Sequence, residues 1–204
     1  LGLSAILSML KYMLTVILGL GLQLFLVYMV LLTIFAKVNP FKFLKKFFPV
    51  LGFAFSTSSS NATVPMNINK LEELGVSRKI SSFTIPLGAT INMDGTAIMQ
   101  GVAVVFAANA YGMQLTPQNF LTVIAAATLA SVGTAGIPSV GLITLSMVFN
   151  SIGLPISAIA MIMGIDRILD MIRTAINITG DAVCTVIVAN GAGEEYFDKE
   201  KFNS

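Results

Sequence analysis

The hydrophobic pattern falls into long apolar stretches separated by short basic ones. Tyr12 to Ala36 is one uninterrupted apolar run, about 37 Å long as a helix at 1.5 Å per residue, which is enough to span a bilayer with tilt. Residues 1–38 are therefore expected to form a transmembrane helix. Asn39-Pro40 ends it, and Lys37, Lys42, Lys45 and Lys46 mark that end as cytoplasmic by the positive-inside rule. Residues 41–73 are uncharged from Phe47 to Asn69 but are interrupted by Ser56 to Asn61 and by Pro65, and Lys70, Arg78 and Lys79 make the far flank basic again. Two basic flanks imply a re-entrant hairpin whose tip lies in the membrane. Irregular backbone at that depth must be buried in protein or line a wet cavity.

Residues 80–110 then cross outward, broken by Asn92-Met93-Asp94-Gly95-Thr96. Residues 117–150 repeat the hairpin logic. Gly133, Gly136 and Pro138 interrupt them and both flanks are uncharged, so this second hairpin should dip in from the outside. Residues 155–191 cross back as an amphipathic transmembrane helix, and 192–204 form a polar cytoplasmic tail. The predicted fold class is an all-α membrane protein with two oppositely oriented re-entrant hairpins. This is the inverted-repeat logic of secondary transporters, whose sites form where broken helices meet at midplane.

Composition agrees with that class. Hydrophobic residues make up 55% of the 204 and charged residues 11%, with a mean hydropathy of +0.86. No charge lies between Lys11 and Lys37 or between Lys46 and Lys70, and Asp94 alone lies between Lys79 and Asp166. A net charge of +2 carried in loops reports topology and gives no sign of nucleic acid binding. Cys184 is the single cysteine and histidine is absent, which removes an internal disulfide, Ser-His catalysis and His-ligated metals together. The chain opens on Leu1 within an apolar run, without a basic n-region or cleavage site, so it reads as a fragment of a longer protein and not as a signal peptide.

Charge inside the membrane carries the chemistry. Asp166, Asp170, Arg173, Asn177 and Asp181 recur at helical spacing and share an arc of about 60–80°, with Thr174 at its edge. Each buried charge costs at least about 2.5–3.5 kcal/mol on insertion scales, so such a stripe needs partners, water or a ligand. The bland alternative is an ion-pair ladder that only joins helices. Asn92 to Thr96 offers a carboxylate, an amide, a hydroxyl and freed carbonyls, the oxygen set that hard cations take. A kinked helix with a satisfied Asp94 is the structural alternative. The tip Ser58-Ser59-Ser60-Asn61 offers hydroxyls and N–H groups to a carboxylate. Gly133, Gly136 and Gly141 give the second tip the freedom of a lid, although small residues also serve close helix packing.

Four motifs in order, Ser58-Ser59-Ser60-Asn61-Ala62-Thr63-Val64-Pro65, Asn92-Met93-Asp94-Gly95-Thr96, Gly133-Thr134-Ala135-Gly136-Ile137-Pro138 and Asp170-Met171-Ile172-Arg173-Thr174 with Asn177 and Asp181, closely resemble the dicarboxylate/amino acid:cation symporter family. The resemblance implies sodium-coupled uptake of aspartate or glutamate by alternating access, a multi-pass plasma (inner) membrane location and a homotrimer. It also implies an amino-terminal half beyond this chain, and no enzyme activity or organic cofactor. By motif, Arg173 matches the reader of the substrate's side-chain carboxylate and Asp170 the holder of its ammonium. Ser58, Ser60, Thr96, Thr174, Asn177 and the backbone at Ile137 and Gly141 match the groups around the rest of the ligand. One sodium site would take backbone oxygens of Gly88, Asn92 and Asn177 with Asp181. A second would take those of Thr90, Met93, Ser131, Val132 and Thr134. A third would use Asn92 and Asp94.

The residue chemistry agrees with this picture. Arginine reads carboxylates bidentately, Asp170 argues against dicarboxylates that lack an amine, and Arg173 argues against neutral amino acids. Members of the family often carry an extra arginine at one of two positions, which here are Ser58 and Met171, so neither arginine is present, and Asn61 stands where a serine is usual. A proton-coupled glutamate or dicarboxylate symporter of the same fold is the near alternative. An intramembrane aspartyl protease would want Gly-x-Gly-Asp where the chain has Ile178-Thr179-Gly180-Asp181, and a passive channel would not saturate.

Overall fold

The computed structural model describes residues 3–193 and 195–203, and among them the regular structure is entirely helical. Helix α1 (Leu3–Leu22) continues through a π turn (Gln23–Tyr28), a short α2 (Met29–Leu31) and a second π turn (Leu32–Ala36). Lys37 then takes a left-handed conformation (φ 55°), which ends the run. Two hairpin helices follow, α3 (Pro40–Thr57) and α4 (Ser60–Glu73). Asn39 Oδ1 starts α3 by accepting from the Phe41 and Lys42 N–H groups, with Pro40 at a position that needs no donor. Between α3 and α4 the chain turns through Ser58 at φ 52°, and Ser59 Oγ caps Ala62 N.

The second span is α5 (Arg78–Ile91) followed by α6 (Asp94–Ala110), interrupted only at Asn92 and Met93. Helices α7 (Pro117–Val132) and α8 (Val140–Ser151) form the second hairpin, started by a Thr116–Asn119 capping box. A 3-10 turn (Ile156–Ile159) leads into the 33-residue α9 (Ala160–Ala192). Among the described residues three segments are long and apolar enough to cross a membrane: Ile6–Ala36, Arg78–Ala110 and Ile156–Ala192.

Helix α9 is the axis of the molecule. It packs against α1, α3, α4, α5 and α6, and Leu169, Ala182, Val183, Val186 and Ala189 on it are fully buried. The opposite extreme is the first span, Ile6–Ala36, where Leu14, Leu18, Leu26, Ile34 and Phe35 are exposed. A contiguous apolar surface of this kind is one that lipid or another protein segment covers.

The two hairpins meet at their tips. Gly136 O accepts from Ser59 Oγ at 2.8 Å and from Asn61 N at 3.1 Å. A Cβ on Gly136 would lie 2.7 Å from Asn61 Oδ1, so the tips can approach this closely only with glycine there.

The end of the chain is more ordered than a polar tail. Phe197 and Phe202 are buried, and Phe202 stacks on Phe43 of α3 with ring centroids 6.3 Å apart. Phe197 bridges Val76, Ser77 N donates to Tyr196 O at 2.8 Å, and Asp198 N donates to Gly75 O at 2.9 Å. Lys46 Nζ reaches Phe202 O at 3.0 Å just before the end of α10 (Lys199–Asn203). Two aromatic residues among charged ones carry this packing, and their value depends on Phe43, which is distant in sequence.

Candidate functional site

The polar stripe of α9 faces inward. Asp166, Asp170, Arg173, Thr174, Asn177 and Asp181 are all buried, as one helical arc packed against five neighbouring helices requires. Opposite the stripe lie both hairpin tips and the break of the second span. Together they enclose a small cavity with about 10 Å³ for a water-sized occupant. All nine residues expected to bind the solute line it: Ser58, Ser60, Thr96, Ile137, Gly141, Asp170, Arg173, Thr174 and Asn177. Gly141 and Gly95 make room for Arg173, since Cβ atoms there would lie 3.2 Å from its Nη2 and 2.9 Å from its Cγ.

The charges in the cavity are paired with one another. Arg173 Nη2 donates to Asp170 Oδ1 at 2.5 Å, and Arg173 Nη1 donates to Asp166 Oδ1 at 3.4 Å. Asp170 Oδ2 accepts from Ser139 N at 2.8 Å, so the second tip is tied to the stripe. Ser139 holds φ 60°, which turns its N–H toward that carboxylate as α8 begins. Among the described residues the buried Ser58 Oγ and Asp166 Oδ2 have no hydrogen-bond partner. An unpartnered hydroxyl at a cavity wall is free to serve a ligand.

A second polar knot lies along α9 from the cavity. Asp181 Oδ1 accepts from Asn92 Nδ2 at 2.8 Å, and the same amide lies 3.3 Å from Asn177 O. A Cβ on Gly88 would sit 2.6 Å from Asp181 Oδ1, so α5 passes directly over that carboxylate. Gly88, Asn92, Asn177 and Asp181 are thus brought together. Asn177 belongs to both clusters, because its Oδ1 accepts from Gly95 N at 2.8 Å while its Nδ2 reaches Met93 Sδ at 3.3 Å and Thr96 Oγ1 at 3.5 Å.

The remaining candidates are more dispersed. Met93 and Thr134 line the cavity, and Ser131 is buried. Val132 and Thr90 are exposed, and the Thr90 hydroxyl bonds back to the Pro86 and Leu87 carbonyls. Asp94 Oδ2 accepts from Gln23 Nε2 and Tyr28 Oη of the first span. Those two residues were not singled out from sequence, and neither was the Gln100–Thr144 pair at 2.9 Å beside Thr134. Asn67, whose Nδ2 donates to Ile178 O at 3.2 Å, escaped as well. Each has a partner remote in sequence, and nothing in its local spacing marks it. No group of three or more carboxylate, thiol or imidazole side chains forms among the described residues. A cation held here would rest on carbonyl and amide oxygens around single carboxylates, a hard-oxygen set.

A family model described as the sodium:dicarboxylate symporter family matches residues 1–190. The chain belongs to this family. It is 43% identical over 178 residues to an excitatory amino acid transporter of Caenorhabditis elegans, covering 87% of this chain and 35% of that protein. It is 42% identical over 182 residues to excitatory amino acid transporter 2 of Homo sapiens, covering 87% and 31%. It is 40% identical over 197 residues to neutral amino acid transporter B(0) of Rattus norvegicus, covering 95% and 34%. The chain therefore spans about a third of the length of the relatives it matches. The family is described as one of symporters, these relatives are named as amino acid transporters, and the chain has helices long and apolar enough to cross a membrane. Relatives named for excitatory and for neutral amino acids lie at nearly equal identity, so their names do not settle which solute the cavity fits.

Proposed function

We propose that this chain forms the solute- and cation-binding core of a secondary active symporter that takes up aspartate or glutamate with sodium ions by alternating access. The observation that carries the reading is the Arg173–Asp170 pair in the cavity wall. An acidic amino acid presents a side-chain carboxylate and an ammonium, and it can replace the internal pair by offering one group to each residue. Arg173 would take the carboxylate through its planar fork. Asp170 would take the ammonium. The α-carboxylate would fall to Ser58, Ser60 and the N–H groups of the two tips, with Thr96, Thr174, Asn177 and the backbone at Ile137 and Gly141 closing around it. A neutral amino acid would leave Arg173 without a ligand carboxylate, and a dicarboxylate without an amine would set a negative charge against Asp170.

Sodium is the second substrate in this reading. Asp181 with the Gly88, Asn92 and Asn177 oxygens supplies one site, because these groups already converge. Thr90, Met93, Ser131, Val132 and Thr134 supply a second, for which α5 and α7 are in contact. Asn92 and Asp94 supply a third. The helix pairs at 41–73 and 117–150 act as re-entrant hairpins from opposite membrane faces. The full-length protein works as a homotrimer in the plasma (inner) membrane, with the end of α9 and the tail in the cytoplasm.

Uptake of labelled aspartate by the full-length protein in liposomes tests this. An inward sodium gradient is expected to drive accumulation that saturates and is competed by glutamate. Accumulation driven equally by a proton gradient in choline would replace sodium with protons as the coupling ion.

A further inference from the structure

Asp94 is the first residue of α6 and is partly buried in the break of the second span. A carboxylate at that depth needs donors or a cation. Its Oδ2 receives two donors from the first span, Gln23 Nε2 at 2.7 Å and Tyr28 Oη at 3.0 Å. The two donors bound the π turn Gln23–Tyr28. In an α-helix, residues five apart point about 140° away from each other at 100° per residue. A π turn closes its hydrogen bonds from i to i+5, so residues five apart stack one above the other. The π turn is the backbone device that lets both side chains reach one oxygen.

Tyr28 is also seated against α9. A Cβ on Gly180 would lie 2.5 Å from Tyr28 Oη and equally close to Asn92 Nδ2. That Asn92 amide is the one bonded to Asp181. The tyrosine hydroxyl is thus wedged between Asp94 and the backbone of the helix that carries the other candidate cation carboxylate.

We infer that Gln23 and Tyr28 are positioning residues for a sodium ion at Asp94: they occupy Oδ2 and hold the carboxylate so that Oδ1 is the oxygen offered to the cation. A small hard cation must exchange hydration water for oxygens at fixed distances, and a carboxylate free to rotate in the break would not provide that. The inference rests on the sodium-coupled reading above. It adds two residues of the first span to the cation-binding set, neither of which touches the solute cavity.

The test uses the full-length transporter, with aspartate titrated calorimetrically across a sodium series balanced with choline. Tyr28→Phe removes one hydroxyl, and Gln23→Met removes the amide while keeping the length of the side chain, so either variant can report if the other does not fold. Loss of one hydrogen bond to a charged group is expected to raise the sodium midpoint by about tenfold. Aspartate affinity at saturating sodium should stay within about twofold, and the preference for sodium over lithium should weaken. A purely structural role would lower the thermal midpoint without moving the sodium midpoint. An unchanged sodium midpoint in the folded variants, with sodium dependence intact in the parent, would overturn the inference. Equal aspartate affinity in sodium and choline for the parent would instead overturn the sodium reading on which it rests.

Discussion

Arg173 and Asp170 stand one helical turn apart on α9 and hold each other at 2.5 Å across the wall of the cavity. Asp166 adds a second carboxylate to the same guanidinium at 3.4 Å, and both acidic residues are buried. One guanidinium is thus held by two carboxylates of its own helix. Breaking a buried pair leaves an uncompensated charge that is more costly than the pair was favourable. A solute that inserts into it must therefore supply both a carboxylate and a cation. Under the proposed function, selectivity for acidic amino acids would follow from that requirement more than from the shape of the cavity.

Arg173→Cys is accordingly expected to abolish binding of aspartate and glutamate, at a cost on the order of 2–5 kcal/mol for truncating one partner of a buried charge pair. Asp170→Asn should be equally damaging, through the ammonium. Titration of aspartate into the full-length variants checks both. Unchanged aspartate affinity in Arg173→Cys would reject the assignment of that residue.

Much of this was legible in the sequence. The five polar positions of α9 fall on one arc by spacing alone, and a charged arc in an apolar helix has to face inward. The break at Asn92 and Met93 is marked by polar and glycine residues where an apolar span should continue. Other features were not legible. A π turn shifts hydrogen bonds from i+4 to i+5 without any composition of its own, so the convergence of Gln23 and Tyr28 on Asp94 had no local signature. The packing of Phe202 on Phe43 joins residues far apart in the sequence, and only the folded backbone reveals it.

If the first hairpin is re-entrant, as its two basic flanks imply, Lys42 and Lys79 lie on the same side of the membrane. Single cysteines at those positions in the full-length protein are expected to react with an impermeant maleimide from the cytoplasmic face. Labelling from opposite faces would convert the hairpin into a full crossing and reverse the orientation of everything after it.

The tail should contribute to stability. Removing a buried aromatic ring costs about 3–5 kcal/mol, so Phe202→Ala should lower the thermal midpoint of the purified protein clearly. Gly75→Ala should act on the same contact from the other side. Gly75 holds φ 93°, and a Cβ there would lie 2.5 Å from Asp198 O. Midpoints equal to that of the parent in both variants would show that the packing of Phe197 and Phe202 is not part of the stable fold.

Asn177 joins the cavity to the knot around Asn92 and Asp181. Its side chain lines the cavity and binds Gly95 N, while its backbone oxygen lies in the knot around Asn92 and Asp181. A cation drawing in Asn177 O and Asp181 would fix this turn of α9, and with it the amide that faces the solute. The second tip is tied to the same helix through Ser139 N and Asp170, so whichever ligand arrives first orders groups that the other needs. Coupling of this kind is reciprocal: sodium should tighten aspartate by the factor by which aspartate tightens sodium. Two substitutions probe it from the cation side without touching Arg173 or Asp170. Asp181→Asn removes the charge, and Gly88→Ala sets a methyl 2.6 Å from Asp181 Oδ1. Both are expected to flatten the dependence of aspartate affinity on sodium concentration. Calorimetric titration of aspartate in sodium and in choline at equal ionic strength measures that dependence directly. A sodium dependence as steep in Asp181→Asn and Gly88→Ala as in the parent would remove Asp181 from the coupling site.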